Sequence, residues 1–176
     1  MDEEVRKMID TVKNFTENVG NVYTTYHGSN NENLTIDTIK DNDIWLALDV
    51  NYSRIWGENI YEIKINLDRI FDTSIDLGSK GLTIKQMIKY LKNKGVDTKD
   101  LEYALYKYLN TTERFIFWEW VGNRKPVGYN WLSQDIFYSG YDAIKLSEYG
   151  FTKRDKSVVF LVDKPKNKII SIRKIN

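Results

Sequence analysis

The chain has 176 residues, 41% hydrophobic and 29% charged, which is enough length and apolar content for one domain with its own core. Its 26 basic and 25 acidic residues leave a formal net charge of +1, so no global field draws it to nucleic acid or anionic lipid. Cysteine is absent and histidine occurs once, which excludes disulfides, thiolate catalysis and Cys- or His-rich metal sites.

Residues 3–19 carry Val5, Met8, Ile9, Val12, Phe15 and Val19 at helical spacing and predict an N-terminal helix over about 1–20. The opening MDEEVRKMID is acidic and lacks the apolar stretch of a signal peptide, and no run reaches the roughly 18 apolar residues of a membrane span; the expectation is a cytoplasmic protein without a membrane partner. NVYTTYH (21–27) reads as a strand that ends on the lone histidine, His27, before Gly28, Ser29 and an Asn-rich loop. DIWLAL is a short buried strand, VNYSRIWG one or two helical turns closed by Gly57, and NIYEIKINL a half-buried strand with Tyr61, Ile63, Ile65 and Leu67 on one face. The helix LTIKQMIKYLKNKG opens on the capping box Thr83–Gln86 and stops at Gly95. DTKDLEYALYKYLN is a second helix, RFIFWEWV an aromatic strand and WLSQDIFYSG a short helix. Three strands close the chain: YDAIKL, SVVFLVD (a central strand buried on both faces) and KIISIRKI. The pattern is that of a single α+β domain spanning 1–176.

Phosphate-binding loops, dinucleotide fingerprints and the serine-hydrolase elbow are all missing. NRKPVGYNW sets Arg124 and Lys125 beside Tyr129 and Trp131, the make-up of a single-strand stacking groove, yet the near-neutral charge disfavours nucleic acid as a partner.

Three segments in order resemble the ADP-ribosyltransferase superfamily: YHGS at the end of the early strand, DIWLALDVNYSRIWG, and the tail GYDAI…SVVFLVDKPKNKIISIRKI. The resemblance implies an ADP-ribosyltransferase-like split β core with the N-terminal helix and a helical insertion over about 72–112. It implies NAD+ as substrate and no metal. His27 would orient the ribose. Gly28 would let backbone groups approach the nicotinamide amide without a Cβ in the way, and Ser29 stands beside it in the cofactor-binding set. Trp45 and Trp56 would sandwich the ring and Ser53 would bond its carboxamide. The family carries a glutamate four residues before the Phe of Val-Val-Phe; counting back from Phe160, Lys156 stands there. Asp155 is the residue assigned as the catalytic carboxylate, with Glu148 and Asp142 as alternatives. The implied activity is mono-ADP-ribosylation of a macromolecule, first of all a protein, in the host cytoplasm if the gene is phage-borne. Small members of this type serve as phage or mobile-element effectors, anti-CRISPR factors among them. The alternative expectation is an inactive member of the fold that inhibits a host complex by binding alone.

Overall fold

The computed structural model describes residues 21–40, 42–73, 82–108, 114, 132–149 and 156–175. The longest ladder joins β1 (Asn21–Ser29) to β3 (Asn59–Leu67), antiparallel from Asn21↔Leu67 to Ser29↔Asn59. β3 shows why the register holds. Tyr61, Ile63, Ile65 and Leu67 are buried while Lys64 between them is exposed. A slip of one residue would exchange these sets. Each enclosed aliphatic side chain contributes about 1.5–3 kcal/mol, against about 0.2–1 kcal/mol for a cross-strand pair, so burial sets the pairing.

The other strands are β2 (Ile44–Ala47), β4 (Ile70–Asp72), β5 (Ala143–Tyr149), β6 (Lys156–Val162) and β7 (Ile169–Lys174). Among the described residues they complete one seven-stranded mixed sheet in the order β4-β5-β6-β2-β1-β3-β7, in which only β4 and β5 run parallel. β6 is the central strand that its apolar run predicts: Val159 and Leu161 enter one core cluster, Phe160 and Val162 the other.

Among the described residues, four short α-helices accompany the sheet: α1 (Val50–Ser53), α2 (Ile84–Asn93), α3 (Lys99–Tyr108) and α4 (Leu132–Tyr138). Both bonds of the α2 capping box are made, Gln86 N–H to Thr83 Oγ1 at 3.3 Å and Thr83 N–H to Gln86 Oε1 at 3.0 Å. Its end is equally specified. Gly95 takes φ +75° and donates to Lys92 O, and Val96 donates to Leu91 O, the paired bonds of a Schellman stop. Ile84, Met87, Leu91, Leu101, Leu132 and Ile136 from α2–α4 pack on Ala47, Ile144, Leu146, Val159 and Leu161. On the opposite face, the connection between β1 and β2 lays Leu34, Ile36 and Ile39 over Leu46, Tyr61, Ile63 and Phe160. No helix among the described residues is long and apolar enough to cross a membrane.

The expected α+β, ADP-ribosyltransferase-like split core is corrected by this topology. The described residues form one hydrogen-bonded sheet, mostly antiparallel, with few and short helices. The helices expected as an insertion over 72–112 are a layer of the main core, because their apolar faces close over β2, β5 and β6. The expected N-terminal helix and all but Arg114 of the aromatic strand RFIFWEWV lie outside the described residues, as do Arg124, Lys125, Tyr129 and Trp131. β4, with three residues, was not expected from the sequence.

Candidate ligand-binding cleft

β1 and β2 meet at a single registered pair, Tyr26↔Ala47. One residue further along β1, His27 Nδ1 lies 2.9 Å from the main-chain oxygen of Trp45. A carbonyl only accepts, so Nδ1 carries the hydrogen and Nε2 is left as an acceptor. Burial pushes the His27 pKa below its ordinary 6.5, and the bond to Trp45 O offsets only part of this. At neutral pH the side chain is an uncharged imidazole whose tautomer is set by the strand beside it.

The second wall comes from the segment after β2. Asp49 caps α1 by accepting from Asn51 N–H at 2.8 Å, and the turn closes with Trp56 N–H on Ser53 O at 3.1 Å. Trp56 then sits with its ring centroid 6.2 Å from that of His27, tilted by 38°. Buried Tyr52 meets it edge-on from behind, at 5.8 Å and 90°. This placement needs two glycines. A Cβ on Gly28 would lie 2.0 Å from Ser53 O and 2.9 Å from Gly57 N, and one on Gly57 would lie 2.4–2.6 Å from the backbone of Ser29. Two main chains cross in direct contact, and the crossing holds Trp56 against the end of β1.

Between these walls and the 30–43 connection opens a cleft of about 460 Å³, within the roughly 300–1,000 Å³ of small-molecule sites. His27, Gly28, Ser29, Trp45 and Trp56 all line it. Five of the six residues nominated from the sequence as ligand-binding therefore come together from β1, β2 and the turn after α1. Ser53 does not join them: it is fully buried, and its hydroxyl donates to Val50 O at 2.7 Å. Asp142 is committed elsewhere. Its Oδ2 accepts from the N–H groups of Asp68 and Arg69, both at 3.0 Å, and its Oδ1 lies 3.6 Å from Lys168 Nζ. Glu148 is on β5 opposite Ser157, and Lys156 begins β6 opposite Tyr149. Asp155 lies outside the described residues.

The cleft also has a polar rim that the sequence reading missed: Asn30, Asn31, Lys40, Asn42 and the exposed carboxylate Asp43. The signal was the length of the connection between β1 and β2, since structureless loops beyond about 12 residues usually carry function. Among the described residues, no three His, Cys, Asp or Glu side chains gather in a way that could hold a metal ion.

No protein-family model and no curated protein matches the chain, so neither comparison supports membership of the ADP-ribosyltransferase superfamily. Among solved structures, one described as "Crystal structure of an anti-CRISPR protein" is distantly similar, with a TM-score of 0.42 and 15% sequence identity over 88% of this chain and 96% of that chain.

Proposed function

We propose that the cleft binds NAD+, nicotinamide end inward, and that the protein transfers its ADP-ribosyl group to a macromolecular acceptor, first of all a protein. The observation that carries this reading is the convergence of His27, Trp45 and Trp56 on one cleft of ligand size. Function resides in such a site rather than in the fold around it, so the reading does not lean on the fold that the topology overturned. Trp45 and Trp56 offer aromatic surface to the flat nicotinamide ring. His27 Nε2 is the right partner for a ribose hydroxyl, because it accepts and stays uncharged beside a cationic ligand. In the transfer step the bond from ribose C1′ to the nicotinamide nitrogen breaks, and its electron pair leaves with nicotinamide, which becomes neutral. A lone pair of the acceptor forms the new bond to C1′, and the acceptor's proton passes to a carboxylate, the role assigned to Asp155.

A second reading is a protein that blocks its target by binding alone. Lys156 favours it, because it stands four residues before Phe160, where the resembled family has glutamate. In both readings the setting is that of a phage or mobile-element effector, anti-CRISPR factors included, acting on a host complex. Adenine-labelled NAD+ mixed with purified protein and bacterial lysate separates the two. Transfer predicts a labelled macromolecule with wild type that fades with His27→Ala. If nothing labels and NAD+ is neither bound nor consumed, binding alone stands.

A further inference from the structure

The 30–43 connection forms one side of the cleft, and few backbone ladders hold it. From its geometry we infer that Tyr61 is the positioning residue that keeps this wall in place for a ligand, an inference that rests on the NAD+ reading above for the ligand it names. Tyr61 sits on β3 directly opposite His27 on β1. Its ring is buried at 2% exposure, and its hydroxyl does two things at once: it donates to Asn31 O at 2.7 Å and accepts from Leu34 N–H at 3.2 Å. Both ends of one loop turn are thus tied to a single oxygen anchored in the sheet.

The rest of the loop is held by bonds within it and by one lysine from the connection after β6. Thr35 N–H donates to Thr38 Oγ1 at 2.8 Å, and Lys166 Nζ reaches Asp37 O at 3.1 Å. The stretch that lines the cleft beside Asn30 and Asn31 is tied to β3 through the Tyr61 hydroxyl, beneath the apolar packing of Leu34 and Ile36. The cross-strand pair therefore serves both walls: His27 ties β1 to β2 through Trp45 O, and Tyr61 ties the loop to β3. A wall held this way needs no ordering when a ligand enters, and that is where affinity is gained.

Tyr61→Phe keeps the ring and removes only the oxygen, leaving Asn31 O and Leu34 N–H without their partner. Thr25→Val is the matched control: Thr25 is equally buried on the same ladder, and its hydroxyl donates to Ile63 O at 2.8 Å, away from the loop. Hydrogen exchange at the Leu34 amide and NAD+ affinity by calorimetry are measured on the full chain for wild type and both variants. Tyr61→Phe should speed Leu34 exchange and weaken NAD+ binding, each about tenfold, while Thr25→Val changes neither by more than about twofold. Unchanged Leu34 exchange in Tyr61→Phe overturns the clamp, as does an equal loss of affinity in Thr25→Val. If wild type does not bind NAD+, the NAD+ reading fails and the exchange comparison alone decides the clamp, either way.

Discussion

Replacing Gly28 by alanine tests the backbone crossing that builds the cleft. The new methyl would sit 2.0 Å from Ser53 O and 3.1 Å from Ser53 C, and ordinary contact begins near 3.4 Å. The α1 turn must therefore retreat by about 1.4 Å, and because the obstacle is main chain, rotamer change cannot relieve it. Overpacking of this kind costs about 1–3 kcal/mol, and a rigid backbone obstacle puts Gly28→Ala at about 3 kcal/mol. For a chain of this size that lowers the melting temperature by about 6–12 °C. Gly95→Ala is the internal comparison: a Cβ there meets nothing within 4 Å, so only its φ of +75° is unfavourable, at about 1–2 kcal/mol. Urea unfolding followed by tryptophan fluorescence ranks the two. The displaced turn also moves Trp56 from His27, so Gly28→Ala should lose NAD+ binding at temperatures where it is still folded. A Gly28→Ala stability within about 0.5 kcal/mol of wild type would show that the crossing is not tight, and this account of the cleft would fall.

His27, as the only histidine, gives one assignable imidazole signal, and NMR titration should find it below 6.5. Because the unfolded chain takes up that proton first, stability should fall as pH drops below 6.5 toward the folded value, and His27→Gln should remove that slope. Asp135 behaves oppositely: burial, and then Asp100 and Asp97, raise it from 3.8 to about 6, and its Oδ2 is buried without a partner. Its contribution is present below 3.8 and lost as pH rises through about 6. A fully enclosed acid would lose about 3 kcal/mol; for a half-open one, Asp135→Asn should stabilise the fold at pH 7.5 by about 1 kcal/mol and leave it unchanged at pH 4 in paired melts. Ser53→Ala should leave NAD+ affinity, measured by calorimetry, within about twofold of wild type, because the hydroxyl is bound to Val50 O; a loss of about tenfold or more would return Ser53 to the site.

Local chemistry was legible in the sequence wherever neighbours along the chain decide it. The alternation of β3, the Thr83–Gln86 box and the Gly95 stop each depend on residues within one turn or one strand. Pairing was less legible. That β6 pairs with β2, and that three residues at 70–72 run parallel to β5, depends on partners about 70 or more positions apart. The expected split core failed there, since resemblance in short stretches specifies strands and leaves their ladders open. At the site, residue type pointed to His27, Gly28, Ser29, Trp45 and Trp56, which line one cleft, while the backbone around Gly28 and the partner of the Ser53 hydroxyl were not legible. Gly28 was read as room for a ligand, and the carbonyl of Ser53 takes up the space its Cβ would need. Ser53 was read as a ligand contact, and a three-residue back-bond inside α1 uses its hydroxyl.

The lone Tyr26↔Ala47 bridge also bears on how such a protein adapts. Three strands lie on one side of that seam and four on the other, each group bound by longer ladders of its own. The sheet is therefore least tied by backbone pairing at the seam beside the cleft. A substitution at Tyr26 should be felt first at this seam, beside the cleft, before the longer ladders on either side of it.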